Sequence, residues 1–198
     1  MLPTESRSTL RKYFRQQRNA LSNAQQQLAS VQLLKQCKSL GIYQQAKTIA
    51  CYLAQDGELS LTPLIEDAWH RGKDVCLPVL HPFAKGYLLF VRYHPNSTLQ
   101  ANRFGIPEPV INLPDIIPLE EVNLIFAPLV AFDEQSRRLG MGGGFYDRTL
   151  APVLKNALET HICGVAHDCQ KVETGLKSDR WDIPMQQIIT PSKIYRAS

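Results

Sequence analysis

Apolar and polar residues follow each other along the chain with two spacings, one typical of helices and one typical of strands. Apolar residues three and four positions apart predict helices over residues 6–21, 22–40, 62–71 and 145–158. Ser22 and Thr62 are favourable N-cap residues, and Gly41 and Gly72 are expected to end the helices before them. Short apolar runs predict strands over residues 48–53, 75–79, 86–93, 122–127, 162–166 and 188–190.

The order of these elements indicates the fold class. A strand at 48–53, a helix at 62–71 and a strand at 75–79 form a βαβ unit, which makes its two strands parallel. The sequence therefore predicts an α/β protein with a mostly parallel sheet, in which the strand at 86–93 is antiparallel or at the edge. In the second helix, Leu28, Val31, Leu34 and Leu40 are expected to face the interior.

Composition narrows the class of protein. The 198 residues suit one domain, or one with a small subdomain, and 44% of them are hydrophobic, enough for a sizeable core. A net charge of +4 is too mild to indicate a nucleic-acid binder. The five cysteines are odd in number and form no C-x-x-C, which suggests neither a disulfide framework nor a zinc site. Without an apolar leader or a membrane-length apolar run, we expect a cytoplasmic protein.

The most unusual stretch covers residues 137–148 and reads RRLGMGGGFYDR, with four glycines in five positions. A glycine-rich loop that opens a helix presents several backbone N–H groups to one point, and Arg137, Arg138 and Arg148 add guanidinium groups, so phosphate is the expected ligand. The alternative is a flexible surface turn with solvated charges. A P-loop is excluded because no Lys-Ser/Thr pair follows the glycines, and the spacing does not match a dinucleotide-binding fingerprint.

Charged side chains elsewhere are further candidates. The first helix carries four arginines that share one face and form either an anion clamp or a solvated stripe: Arg7, Arg11, Arg15 and Arg18. Glu58 lies in a turn after a strand, where it suits either ligand binding or an ordinary turn. His167 is a candidate general base or a structural hydrogen-bonding residue. Asp147 and Asp182 are carboxylates that could share a Mg²⁺ ion.

These motifs together resemble the 5-formyltetrahydrofolate cyclo-ligase (5,10-methenyltetrahydrofolate synthetase) family. The resemblance rests on residues 128–133 (PLVAFD) with the glycine-rich stretch, on the basic first helix ending in Ala-Leu-Ser, on Gly57-Glu58, on residues 105–109 (GIPEP) and on residues 181–184 (WDIP). It covers nearly the whole chain, residues 1–198, as a single domain. It implies a three-layer αβα architecture with a Rossmann-like, mostly parallel sheet, on which the N-terminal helices pack.

The resemblance also implies ligands and site residues. The ligands are Mg²⁺, ATP as co-substrate and 5-formyltetrahydrofolate, and a monomer without nucleic-acid or membrane partners is expected. Asp147 and Asp182 are the implied metal ligands. The implied ATP contacts are Arg7, Arg11, Arg138, Leu139, Gly140, Met141, Gly142, Gly143, Gly144, Phe145 and Tyr146. The implied folate contacts are Leu53, Glu58, Gly142, Gly143, Gly144, Phe145 and Tyr146.

The chain departs from the family pattern in ways that affect the chemistry. Gly143 and Arg7 stand where many members have Lys, and Phe145 replaces a tyrosine. Arg138 or Arg148 is therefore the candidate cation for the transferred phosphate, and with Tyr146 they form the predicted catalytic set. The implied reaction is an ATP- and Mg²⁺-dependent ring closure, in which phosphorylation of the formyl oxygen makes it a leaving group. The alternative is a non-catalytic protein of the same fold that binds a phosphorylated ligand or RNA.

Overall fold

The computed structural model describes residues 6–177 and 179–196, which form five α-helices and twelve strands. The helices are α1 (Arg7–Asn19), α2 (Asn23–Lys38), α3 (Gly41–Gln45), α4 (Thr62–His70) and α5 (Phe145–Lys155). The strands are β1 (Thr48–Ala50), β2 (Asp74–Leu80), β3 (Leu88–Arg92), β4 (Leu99–Ala101), β5 (Pro107–Pro109), β6 (Ile116–Ile117), β7 (Leu124–Pro128), β8 (Ala131–Phe132), β9 (Arg138–Leu139), β10 (His161–Val165), β11 (Gln187–Ile189) and β12 (Ile194–Arg196).

Eight of these strands form the central sheet, in the order β12-β11-β10-β7-β1-β2-β3-β6. The run from β11 to β2 is parallel throughout, and β12, β3 and β6 are antiparallel to their neighbours. Ala50 at the end of β1 pairs with Cys76 of β2 on one side and with Ile125 of β7 on the other. The predicted α/β fold with a mostly parallel sheet is thereby confirmed.

The connections between strands leave a crevice at the carboxyl ends of two neighbouring central strands, β1 and β7. From β1 the chain passes through α4 to β2 on one side, whereas from β7 it passes through α5 to β10 on the other side. Because β1 and β7 are neighbours, the segments that leave their carboxyl ends diverge. Such a switch point is where open α/β sheets bind ligands.

Helices cover both faces of the sheet, as expected for a three-layer arrangement. Leu33 and Cys37 of α2 and Leu64 of α4 pack on one face, and Leu150 and Val153 of α5 pack on the other. The first helix packs elsewhere: its apolar residues lie against the β8–β9 hairpin and the segment around residues 172–176. The arginine face of α1 therefore lies near the carboxyl ends of β1 and β7 and does not cover a face of the sheet.

The second helix begins at its predicted N-cap, Ser22, whereas Thr62, also predicted as an N-cap, is the first residue of α4 and Leu61 precedes it without a side-chain cap. Ser6 accepts a hydrogen bond from the backbone N–H of Thr9, and Ser22 forms a reciprocal capping box with Gln25. The prediction that Leu28 and Val31 face the interior is wrong, since they are 58% and 47% exposed. The helix instead turns a different stripe to the sheet, made by Ala29, Leu33 and Cys37 at a spacing of four.

One other expectation was wrong. Gly41 does not end α2, which stops at Lys38; it is the first residue of α3. The connection over residues 94–119 contains the β4–β5 hairpin and the edge strand β6. Across the described parts of the chain, every helix is too short or too polar to traverse a lipid bilayer.

Candidate active site

A cleft of about 1630 Å³ opens at the carboxyl ends of β1 and β7. Its walls come from the arginine face of α1, from the turn after β1, from the β4–β5 hairpin, from the glycine-rich loop with the start of α5, and from residues 179–184. Pockets for one drug-sized ligand usually measure about 300 to 1,000 Å³. The cleft is therefore large enough for two small-molecule ligands at once.

The glycine-rich loop forms one wall and leads directly into α5, as the sequence predicts. Gly144 is the N-cap of the helix with φ +65°, and Gly142 has φ +95°. Both angles are unfavourable for residues with a Cβ atom, which explains why glycine is needed here. The loop brings the free backbone N–H groups of the first turn of α5 to the cleft, an arrangement that suits an anion.

Arg11 joins α1 to this loop. Its Nε donates a 2.7 Å hydrogen bond to the carbonyl oxygen of Gly140. A Cβ atom on Gly142 would lie 3.3 Å from the guanidinium carbon of Arg11, so the loop passes close to the side chain. Burial lowers the pKa of Arg11, and the positive charge of Arg7 lowers it further. An anion in the cleft would relieve this repulsion between the two arginines.

The four arginines of α1 all line the cleft, but three of them form ion pairs with protein carboxylates. Arg7 contacts Asp179 at 2.7 Å and Asp182 at 3.3 Å. Arg15 and Arg18 both contact Oδ2 of Asp56, at 2.7 and 3.0 Å. Carboxylates therefore hold three of the four guanidinium groups on this face. Arg11, which contacts only backbone oxygen in the described residues, is the most available cation of the four.

Asp147 is held between the glycine-rich loop and residues 179–184. Its Oδ1 accepts hydrogen bonds from Nη2 of Arg138 and from the backbone N–H of Ile183, the latter at 3.1 Å. The side chain of Arg138 is only 6% exposed, and its Nε has no hydrogen-bond partner among the described residues. These contacts bring Asp147 next to the segment that contains Asp182, and both carboxylates line the same cleft.

Arg148 lines the cleft and contacts the glycine-rich loop. Its Nε donates to the carbonyl oxygen of Gly86 at 2.9 Å, and its Nη2 donates to that of Gly143. The guanidinium carbon also lies 5.8 Å from the centre of the Phe145 ring. The cation of Arg148 therefore lies beside Gly143, the position at which the chain lacks the lysine of the family pattern.

Glu58 also lines the cleft and lies close to two tyrosines. Its Oε2 accepts a 3.1 Å hydrogen bond from the backbone N–H of Gln55, and its side chain is 14% exposed. Burial raises the pKa of Glu58, and the positive charge of Arg18 opposes the rise. Burial also raises the pKa of Tyr52 and Tyr146, with a further contribution from Glu58. A partly desolvated carboxylate beside hydroxyl groups suits recognition of ligand N–H groups.

Aromatic side chains line the mouth of the cleft. Phe104, at the tip of the β4–β5 hairpin, makes an edge-to-face contact with Phe145 at 6.1 Å between ring centres, although it is 57% exposed. The hairpin is anchored by buried Glu108, whose Oε2 accepts from the backbone N–H of Leu80 and from Asn102. Residues 94–119 form a Pro- and Asn-rich connection whose length predicts a functional loop or lid. Nothing in the sequence identifies Tyr87 or Leu88 as lining residues.

Most of the predicted site residues come together in this cleft. The lining residues include Arg7, Arg11, Leu53, Glu58, Arg138, Gly140, Met141, Gly142, Gly143, Gly144, Phe145, Tyr146, Asp147, Arg148 and Asp182. Leu139 does not line the cleft, because its side chain is buried against Phe14 and Val130.

Two further residues singled out in the sequence lie outside the cleft. Arg137 does not line it and forms a 2.6 Å ion pair with Asp133, so it is not one of the phosphate-binding arginines expected there. His167 is 2% exposed and lies behind the turn that carries Glu58. Burial lowers its pKa to about 4, and the carbonyl of Gly57 offsets this in part, although Nε2 makes no well-formed hydrogen bond to a described residue.

Comparison with known proteins agrees with this arrangement. Residues 3–191 match the model of the 5-formyltetrahydrofolate cyclo-ligase family. The chain belongs to this family. It is 48% identical to the 5-formyltetrahydrofolate cyclo-ligase of Escherichia coli (strain K12), over 91% of this chain and 98% of that protein. It is 44% identical to the enzyme of the same name from Haemophilus influenzae, over 94% and 98% of the two chains.

A solved structure shows the same fold. The NMR structure of Aquifex aeolicus 5,10-methenyltetrahydrofolate synthetase has 33% sequence identity and a TM-score of 0.79, covering 96% of this chain and 92% of that one. The predictions that the chain belongs to the 5-formyltetrahydrofolate cyclo-ligase family and is a ring-forming ligase of folate metabolism are confirmed. A non-catalytic binding protein, the alternative left open by the sequence, is not supported.

Proposed function

We propose that the protein converts 5-formyltetrahydrofolate and ATP into 5,10-methenyltetrahydrofolate, ADP and phosphate, and that the reaction requires Mg²⁺. The observation that carries this proposal is the state of two carboxylates in the cleft. Asp147 and Asp182 each use one oxygen, Oδ1 and Oδ2 respectively, for contacts with the protein. The second oxygen of each accepts no hydrogen bond from the described residues and remains available to a cation.

This donor set fits Mg²⁺ bound together with a nucleotide. Mg²⁺ in phosphoryl-transfer sites is usually held by one or two carboxylates, with phosphate oxygens and water completing its ligands. No cluster of three or more His, Cys, Asp or Glu side chains suited to a metal occurs in residues 6–177 and 179–196, so the remaining ligands of Mg²⁺ would come from phosphate and water. Bound Mg²⁺ would neutralise charge on the phosphate oxygens, and Asp147 and Asp182 are the residues proposed to hold it.

ATP and the folate bind at different ends of the cleft, each to its own set of residues. Arg7, Arg11 and the N–H groups of the loop at Gly142 and Gly144 bind the phosphates of ATP. The folate lies toward Leu53, Glu58 and Tyr146, where the cleft is lined by aromatic and carboxylate groups. This order brings the formyl group of the folate and the terminal phosphate of ATP together at the glycine-rich loop.

The reaction needs charge stabilisation and positioning rather than a protein nucleophile. The formyl oxygen on N5 attacks the γ-phosphorus, and the bond from phosphorus to the ADP oxygen breaks. N10 then attacks the formyl carbon, loses its proton, and the carbon–oxygen bond to phosphate breaks. Arg138 and Arg148 stabilise the negative charge on the transferred phosphoryl group.

An absorbance assay tests the proposal directly, because the methenyl product has its own chromophore. The protein is mixed with 5-formyltetrahydrofolate, ATP and Mg²⁺, with separate controls that omit ATP or add EDTA. We expect product only in the complete mixture and one ADP for each methenyl group. Folded protein that binds ATP with Mg²⁺ but forms no product would contradict the proposed reaction.

A further inference from the structure

Arg18 is a buried arginine that the proposed reaction does not use. Its side chain is 1% exposed, yet it belongs to the same face of α1 as Arg7 and Arg11. Its Nε donates to the carbonyl oxygen of Asp56 at 2.8 Å, its Nη2 to Oδ2 of Asp56 at 3.0 Å, and its Nη1 to the carbonyl oxygen of Leu129 at 3.3 Å. Burying a guanidinium group costs free energy unless hydrogen bonds and an ion pair compensate for it. The three acceptors therefore hold the side chain of Arg18 in one position.

Arg18 holds the turn that precedes Glu58. Asp56 and Gly57 are consecutive residues with positive φ, +52° and +72°. A Cβ atom on Gly57 would lie 2.6 Å from Oδ1 of Asn19, so the turn is in direct contact with the end of α1. The carboxylate of Asp56 also accepts hydrogen bonds from Arg15 and Asn19, at 2.7 and 3.1 Å. The turn is thus fixed to α1 on one side.

The same arginine fixes the turn to the sheet. Leu129 directly follows β7, and its carbonyl oxygen accepts from both Arg18 and Nε2 of Gln170, the latter at 2.8 Å. Gln170 also donates to the carbonyl of Val130 at 2.9 Å, and its Oε1 accepts from the backbone N–H of His167. Arg18 therefore connects three parts of the fold that are distant in sequence: α1, the turn after β1, and the end of β7.

Arg18 also acts on Glu58 through space. Its Nη2 lies 3.7 Å from Oε1 of Glu58, too far for a strong hydrogen bond but close enough for an ion pair. The other charged or titratable groups acting on Glu58 are Asp56 in the turn, Tyr52 after β1 and Tyr146 on α5. Asp56 raises the pKa of Glu58, as burial does, whereas Arg18 lowers it. Of these groups, Arg18 is the one whose charge favours ionised Glu58.

We propose that Arg18 is a positioning residue for the folate end of the cleft: it holds the turn that carries Glu58 and keeps a positive charge 3.7 Å from that carboxylate, which accepts a hydrogen bond from an N–H group of the reduced folate. This inference rests on the proposed role of Glu58 in folate binding. The arginines of α1 then have two functions. Arg7 and Arg11 bind the phosphates of ATP, and Arg18 positions Glu58 for the folate.

Steady-state kinetics of Arg18→Gln and Arg18→Lys test the inference, with Arg71→Gln as a control at a surface ion pair outside the cleft. KM values and pH profiles are suitable readouts because they do not depend on how much of a variant is folded. In Arg18→Gln, we expect KM for 5-formyltetrahydrofolate to rise by about 10-fold or more, and KM for ATP to change by less than about 2-fold. The acid limb of kcat/KM for the folate should move to higher pH, because the lost charge raises the pKa of Glu58.

Arg18→Lys separates charge from geometry. An ammonium group keeps the positive charge but cannot form the fork that reaches Asp56 and Leu129 together. We therefore expect the acid limb of Arg18→Lys to remain near that of the unmodified protein while KM for the folate still rises. Arg71→Gln should change neither quantity.

The Glu58→Gln background distinguishes the possible failures. If the inference is correct, Glu58→Gln raises KM for the folate and removes the acid limb, and adding Arg18→Gln shifts nothing further in the pH profile. Normal folate KM in Glu58→Gln would overturn the proposed role of Glu58 and, with it, that of Arg18. A strong effect of Glu58→Gln combined with unchanged or equal shifts in both KM values for Arg18→Gln would overturn only the role of Arg18.

Discussion

Arg11 donates a 2.7 Å hydrogen bond from Nε to the carbonyl oxygen of Gly140, a residue 129 positions later in the chain. The bond connects the N-terminal helix to the glycine-rich loop, so the two elements form one wall of the cleft. Its geometry depends on a loop conformation in which Gly142 turns its Cα toward the guanidinium of Arg11. A side chain at Gly142 would therefore disturb both the loop and the arginine.

Gly142→Ala should weaken nucleotide binding without unfolding the protein. The new Cβ would lie 3.3 Å from Cζ of Arg11, and alanine is strained at φ +95°. We expect KM for ATP to rise by about 10-fold, which corresponds to about 1.4 kcal/mol. Gly41→Ala is the matched control, because the position has open space and an ordinary helical backbone. Equal kinetic effects of the two substitutions would contradict the proposed role of the loop.

Asp147→Asn should strongly lower turnover while the fold persists. The amide keeps an oxygen that can accept from the backbone N–H of Ile183, but it removes the negative charge opposite Arg138 and the proposed ligand of Mg²⁺. We expect kcat to fall by at least about 10²-fold, as when a charge-stabilising group is lost. The thermal unfolding midpoint should change little, and Asp115→Asn, outside the cleft, should retain activity. Normal turnover in Asp147→Asn would exclude this carboxylate from the site.

The sequence predicts the parts of this site that depend on local backbone chemistry. Gly144 at a left-handed helix start, the serine cap of α2 and the parallel β1–α4–β2 unit all follow from residue type and short-range spacing. The convergence of these elements on one cleft follows from the rule that ligands bind at the carboxyl ends of parallel strands.

Contacts between distant segments could not be predicted in the same way. Arg18 and Arg11 occupy the same face of α1, yet Arg18 is buried and Arg11 borders the cleft, because the turn at Asp56 covers only the C-terminal end of the helix. Phe104 reaches Phe145 because the hairpin folds over the cleft, which no local pattern encodes. Leu139 likewise looks like part of the loop in sequence, but the β8–β9 hairpin turns its side chain into the core.

Arg148 should compensate for the absence of lysine at Gly143. Its side chain lines the cleft, and its guanidinium donates to the carbonyl of Gly143. We expect Arg148→Ala to lower kcat by about 10²-fold, with a smaller effect on KM for the folate. Adding Gly143→Lys should restore part of kcat, since the lysine would carry a cation to the same loop. The ring of Phe145 would have to move, because it lies 2.8 Å from a Cβ at residue 143.

The control for this pair is Gly143→Lys alone. With Arg148 present, the added lysine should not increase kcat, because the guanidinium of Arg148 already stabilises the charge on the transferred phosphoryl group. If Gly143→Lys with Arg148→Ala is no more active than Arg148→Ala, although both bind ATP and remain folded, the two positions do not share one function.

His167 should make the fold less stable in acid. Its pKa is lowered from 6.5 to about 4, mainly by burial, so the unfolded chain binds a proton more readily than the folded chain between these values. The contribution to stability is therefore complete above about pH 6.5 and is lost as the pH falls toward about 4. Between about pH 7.5 and pH 5 this group alone should reduce the free energy of unfolding by up to about 2 kcal/mol.

Urea unfolding of the unmodified protein, His167→Gln and His70→Gln at these two pH values measures that contribution. Glutamine does not titrate, so His167→Gln should lose less stability on acidification than the unmodified protein, even if it is less stable at neutral pH. His70 is exposed on α4 and should behave like the unmodified protein after substitution. Gly57 and Arg18 both act on His167. If KM for the folate changes over the same pH range as the stability, protonation of His167 also affects the turn that carries Glu58. Equal losses of stability in all three proteins would show that His167 titrates normally in the folded state.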